Sequence, residues 1–236
     1  MKLAVVSLLY MLGQTHVASG QLAIIKDPDG VTNIRAGAGI NAKIIGKFHD
    51  GDVFGYDDEK NGWVHVYYNP ADSSDSRSLE GYIHKDRLLP IYDLQQIVKN
   101  DKSATNGHLT VHKDSLTVEL VAAPFRPKQH VLRKDKSGYI EKIDGKRPLG
   151  TDGDMPFEKM TSLRVTIGGR AVDIPAAAWD NLYDPTLETC TVFADTRTGF
   201  LYISLFNNRS AAGGYEMAWV FKNGEYIRRY VDQTNN

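Results

Sequence analysis

A two-residue turn signal recurs along this chain and limits its fold more than any other feature. It appears as Asp50-Gly51, Asn61-Gly62, Asp144-Gly145, Gly168-Gly169, Thr198-Gly199 and Asn223-Gly224. Such pairs supply the positive φ angles that tight hairpin turns require. Each sits between short runs rich in β-branched and aromatic residues, so the sequence predicts successive antiparallel hairpins.

The flanking runs alternate with period two. Val165 shares a face with Ile167, and Val172 with Ile174. Leu201, Ile203 and Leu205 oppose Phe200, Tyr202 and Phe206, while Tyr215, Met217, Trp219 and Phe221 point one way. Both faces of these last strands are apolar, so both are expected to be covered. A sandwich or closed barrel follows. Pro175 opens one or two helical turns that place Trp179, Leu182 and Tyr183 on one side, and Pro185 closes them.

The first residues speak to compartment. Met1-Lys2 is followed by the apolar run Leu3–Leu12, then Gly13-Gln14, then the small residues Ala18-Ser19-Gly20. That layout predicts a secretory signal over 1–20, cleaved before Gln21. A membrane anchor needs about 20 apolar residues, far more than this run offers. No later segment is apolar enough to span a bilayer, so no membrane span is expected after cleavage. The expected location is secreted or periplasmic. The single cysteine, Cys190, rules out an internal disulfide and reads as a buried small hydrophobe.

Hydrophobic content of 42% is ordinary for a globular chain, and a formal net charge of −1 gives no global field for nucleic acid or anionic lipid. A basic cluster at Arg126, Lys128, His130, Arg133, Lys134 and Lys136 reads as solvated surface. In the middle of the chain, Leu94, Ile97 and Val98 recur at helical spacing, predicting a short helix over 93–99. The polar stretch 100–107 reads as a linker, and Ala71–Ser78 as a lengthened hairpin inside the first domain.

Between Ile24 and Ile91 several motifs occur in order. They are Asn33-Ile34-Arg35-Ala36-Gly37-Ala38-Gly39, Ala42–Phe48, Gly51-Asp52-Val53, Asn61-Gly62-Trp63-Val64-His65-Val66, Glu80-Gly81-Tyr82-Ile83-His84 and Leu88-Leu89. The segment resembles a bacterial SH3 domain, a small β-barrel attached to many cell-wall hydrolases and exported proteins. It departs from the family pattern in the lengthened hairpin before Gly81 and in Tyr82, where the family usually has Trp. Gly37 and Gly39 are expected where a side chain would collide, and Ile44, Ile45, Val53, Val64, Val66 and Ile83 are expected inside. The C-terminal segment carries Gly150–Gly153, Gly169–Pro175, Asp180–Tyr183 and Gly213–Val220. It resembles an uncharacterised bacterial exported-protein family, which implies no activity.

If Val64 and Val66 face inward, alternation sends Trp63, His65 and Tyr67 to the other side. Tyr82, on the neighbouring strand by the resemblance, joins them, and Arg35 completes the candidate ligand groove. Aromatic faces beside polar groups suit short peptides, peptidoglycan stem peptides and glycan. Trp63 could equally cover the barrel's open end, and the two readings stand side by side.

His49, His65 and His84 lack metal-ligand spacing, and His108 and His112 would lie roughly 13 Å apart along a strand. Asp152, Asp154 and Glu158 lack the ligand order of a calcium loop. No metal or cofactor is expected. Cys190 sits in a β-like run rather than at a helix start, and no nucleophile elbow, zinc-hydrolase helix or phosphate loop is present.

The sequence therefore predicts a mainly β protein: an SH3-like small β-barrel over 21–92, a short helix and linker over 93–107, and a C-terminal antiparallel β-sandwich or barrel-like domain over 108–236 with one or two short helices. The functional expectation is an exported, non-catalytic binding protein that docks on cell-envelope peptide or glycan. One alternative is an inhibitor or immunity-type protein that binds another exported protein through the Ser/Asp loop and the strands near Trp219. Another is a wall hydrolase with an unrecognised site.

Overall fold

The computed structural model describes residues 21–68, 78–97, 102–105, 107–207 and 213–232. The predicted signal segment and most of the Ser/Asp tract lie outside them.

The first sheet is a seven-stranded, SH3-like half-barrel. It contains β1 (Gln21–Ile25), β2 (Val31–Arg35), β3 (Ile44–His49), β4 (Phe54–Lys60), β5 (Trp63–Tyr68), β6 (Leu79–His84) and β7 (Leu88–Pro90), in the order β3-β2-β6-β5-β4-β1-β7. Asn61-Gly62 makes the β4–β5 turn with both residues at positive φ, as the sequence predicts. Its core holds Ala23, Ile25, Ile34, Phe48, Phe54, Val64, Val66 and Ile83. Phe48 and Phe54 stack with ring centroids 4.0 Å apart.

Two expectations for this sheet need correction. Ile44 and Ile45 are exposed, because β3 is an edge strand whose one buried residue is Phe48. Gly37 and Gly39 are not sterically required: a Cβ at Gly39 would meet nothing within 4 Å, and one at Gly37 would sit 3.7 Å from Ala42 Cβ. A glycine is required instead at Gly81, where a Cβ would stand 2.5 Å from the Arg35 carbonyl oxygen.

Among the described residues the segment after β7 forms no α-helix, and Val98 and Lys99 of the expected helix lie outside them. Ile91–Asp93 is a 3-10 turn, β8 (Gln95–Gln96) pairs with a C-terminal strand, and β9 (Lys102–Thr105) occupies part of the predicted linker. Leu94 and Ile97 do not share a helical face. Leu94 packs into one hydrophobic cluster and Ile97 into another, on opposite sides of the C-terminal sheet, as three-residue spacing dictates in extended chain. The ladder edge decides the conformation, with Ile97 N–H donating to Val192 O at 2.9 Å.

Next come β10 (His108–Lys113), β11 (Leu116–Pro124), β12 (Leu132–Lys134), β13 (Ile140–Ile143), β14 (Glu158–Ile167) and β15 (Arg170–Ala171). The last four are β16 (Thr191–Asp195), β17 (Phe200–Asn207), β18 (Tyr215–Lys222) and β19 (Glu225–Asp232). They build five-stranded sheets β15-β14-β11-β10-β9 and β19-β18-β17-β16-β8, with β12-β13 as a separate pair. The helical segment expected after Pro175 is a single 3-10 turn, Ala176–Ala178.

The β19-to-β8 sheet is apolar on both faces, and both are covered. Leu205, Met217, Trp219 and Phe221 meet Leu109, Val118, Leu120 and Val165 of the other five-stranded sheet. Phe200, Tyr202, Ala218, Val220 and Tyr230 meet Leu22, Ile24, Val53 and Ile91 of the N-terminal half-barrel. At roughly 1.5–3 kcal/mol per fully buried large apolar side chain, this second contact joins the two halves firmly.

Candidate functional site

Alternation along β5 places Val64 and Val66 in the core and Trp63, His65 and Tyr67 on the outer side, all partly buried. The β5–β6 register sets Trp63 opposite His84, His65 opposite Tyr82 and Tyr67 opposite Glu80. Trp63 meets the His84 ring edge-on at 5.4 Å, and His65 lies 5.3 Å from the Tyr82 ring. Arg35 pairs with Tyr82 in register, holds its guanidinium 5.9 Å from the Trp63 ring centroid, and donates to Ala42 O at 2.8 Å. It thus braces the 36–42 loop against Trp63.

The five are neighbours on one outer face. Trp63 alone of the predicted set lines a cleft of about 1050 Å³, together with His84, Ile40, Asp50 and Arg87 from its own half and Arg197 and Thr198 from the β16–β17 turn. Both walls are fixed. Asp27 accepts from Thr32 Oγ1 at 3.0 Å and pairs with Arg87 at 3.0 Å. Opposite, buried Asp195 accepts from Arg197 Nε at 2.9 Å, Arg197 Nη2 at 2.7 Å and Thr198 Oγ1 at 2.8 Å. Burial pushes the Asp195 carboxyl up, but these donors outweigh it and hold its pKa below the usual value.

The half-barrel order, the outward aromatic row and the Gly81 close approach agree with one comparison: residues 29–88 match the bacterial SH3 domain family. Those residues are a bacterial SH3 domain. The match covers about a quarter of the chain. β1 precedes the matched residues yet pairs with β4 and β7 in the same sheet. No curated protein matched, and no solved structure did.

Away from the cleft, the SH3 domain's outer face is occupied by its own contacts. His65 Nδ1 lies 2.7 Å from Asp57 Oδ1 and its Nε2 lies 3.1 Å from Glu80 Oε1. Tyr67 belongs to the junction with the C-terminal sheet: its hydroxyl donates to Asp232 Oδ2 at 3.2 Å, and its ring covers Gly55 so closely that a Cβ there would lie 2.0 Å away. Burial, then the facing Asp232 carboxylate, push the Tyr67 phenol up, so it stays a donor.

The sequence reading missed His84, although the alternation that selected Tyr82 selects it too. Arg197 and Thr198 carried no comparable signal, since only the packing of two halves brings them to Trp63. Trp219 itself offers no contact surface, contrary to expectation: it is fully buried and donates from Nε1 to Ala178 O at 2.7 Å. Cys190 is buried in the main core. In the basic cluster, His130 pairs with Asp144 and stacks on Phe125, and Arg133 pairs with Glu141. Among the described residues no helix is long and apolar enough to cross a membrane.

Proposed function

We propose that this is an exported, non-catalytic binding protein whose SH3 domain docks on a cell-envelope peptide or glycan, with the ligand seated beside Trp63. The cleft carries the reading. An aromatic floor offers broad contact at low entropic cost, and the walls present both signs of charge through Asp50, Asp86, Lys26, Arg87 and Arg197. Such a lining suits a peptide that bears free carboxylates and free amines, or a sugar ring stacked on the indole. Export rests on the Leu3–Leu12 run and the small residues Ala18-Ser19-Gly20. The C-terminal sheets supply one wall of the cleft through the Asp195–Gly199 turn and brace the SH3 domain from behind.

A pull-down on purified peptidoglycan tests this. Wild-type protein is expected in the pellet, and Trp63→Ala in the supernatant. Wild type that stays soluble would sink the proposal.

A further inference from the structure

A second cavity, of about 500 Å³, opens where the N-terminal half-barrel meets β17 and β18, away from Trp63. Tyr56, Tyr92 and Phe206 line it, with the carboxylates of Asp93 and Glu216. Glu216 is only 4% exposed. Its Oε1 accepts from the Tyr92 hydroxyl at 2.6 Å, while Oε2 is buried without a hydrogen-bond partner.

Neither protonation state satisfies that oxygen. As a carboxylate, Glu216 has no counter-ion among the described residues; as an acid with its proton on Oε1, donated to the Tyr92 hydroxyl, its Oε2 is still a carbonyl oxygen without a donor. Buried polar atoms are rarely left so, and an orphaned one in a cavity wall asks for a donor from outside. The surroundings select the donor's charge. Asp232 is Glu216's direct cross-strand neighbour on β19, and Asp93, in the turn after β7, lines the same cavity. Aromatic rings beside carboxylates attract cations through their negative faces.

We infer that this cavity binds the protonated primary amine of an unbranched alkylammonium group, with the ammonium donating to Glu216 Oε2 and the alkyl chain lying among Tyr56, Tyr92 and Phe206. A primary ammonium fits better than a quaternary one, because only the former has N–H groups for the orphaned oxygen. Burial, opposed by the Tyr92 hydrogen bond and assisted by Asp232, raises the Glu216 carboxyl to about 7. Binding a cation stabilises the ionised form, so affinity rises with pH through that value while the amine stays charged. From the protonated fraction alone, affinity at about pH 8 should exceed that at about pH 5.5 by roughly 30-fold.

The test is NMR titration of the full chain with n-pentylamine, n-pentanol and tetramethylammonium. The expected result is saturable shifts at Tyr56, Tyr92 and Glu216 with millimolar pentylamine, and far weaker ones with the other two. Glu216→Gln should weaken pentylamine binding by about tenfold or more and abolish the pH dependence. On wild type itself, saturating pentylamine should lower the Glu216 titration midpoint, a readout that needs no variant. The inference is overturned if pentanol binds as tightly, if Glu216→Gln keeps full affinity, if the midpoint does not fall, or if pentylamine causes no shifts. Trp63→Ala should leave this binding intact, which separates it from the peptidoglycan proposal.

Discussion

The Tyr230 hydroxyl on β19 accepts a hydrogen bond from the Gly55 amide on β4 at 3.1 Å, and donates to the Tyr67 carbonyl at 3.4 Å. One phenol from β19 thus bridges two backbone groups of the SH3 domain. Around it Tyr68 stacks on Tyr230 with centroids 5.7 Å apart, and Arg228 pairs with Asp52 at 2.7 Å. The SH3 domain and the C-terminal sheet should therefore unfold together.

Tyr230→Phe removes the acceptor and strands a buried N–H. A loss of about 1–3 kcal/mol is expected, seen as a lower melting temperature with one transition kept in both far- and near-UV circular dichroism. Two separate transitions in the wild type would contradict the shared junction.

Gly81→Ala drives a Cβ to 2.5 Å from the Arg35 carbonyl, which cannot move without breaking the β2–β6 contact. It should destabilise by about 1–3 kcal/mol or more. Gly39→Ala, which meets open space, should stay within about 0.5 kcal/mol. Urea denaturation of the pair checks the contrast.

Glu216 holds its proton more tightly folded, near pH 7, than its ordinary value of 4.5. Between those values the folded protein binds more protons than the unfolded one. Stability should fall as pH rises from about 4.5 and level off above 7, by up to about 3 kcal/mol. Glu216→Gln should flatten this slope in denaturant titrations at pH 5 and 8. An unchanged slope would show that Glu216 ionises normally.

Trp63 and Phe48 are both aromatics of the SH3 domain, but they do different work. Phe48 is 1% exposed and stacked on Phe54, so Phe48→Ala should cost about 3–5 kcal/mol. Trp63 borders open space, and Trp63→Ala should cost less than half as much. Equal losses by chemical denaturation would mean that Trp63 serves mainly to close the sheet's end.

The strand pattern was legible because alternation and turn chemistry are local. Asn223-Gly224 sits at positive φ between β18 and β19, and the opposed rows of Leu201/Ile203/Leu205 and Phe200/Tyr202 face separate clusters, as period two requires. What was not legible is set by tertiary competition. Leu94 and Ile97 fit a helix or a strand, and only the free edge of β16 settles the choice. Of the candidate site, the outward facing of Trp63, His65, Tyr67 and Tyr82 followed from alternation. Their other partners did not, because Tyr67 is bonded to Asp232 and His65 to Asp57 and Glu80, residues far from them in sequence or on another strand. Arg197 reaches the cleft through the packing of whole sheets, which no local pattern encodes.

In the proposed function, the cleft between Trp63 and the Asp195–Gly199 turn receives envelope-derived ligand. Chemical-shift mapping with soluble disaccharide-peptide fragments of peptidoglycan tests it most directly. Saturable shifts are expected at the Trp63 indole, His84, Arg197 and Thr198, lost in Trp63→Ala. Shifts confined to another surface, or none at saturating fragment, would contradict it.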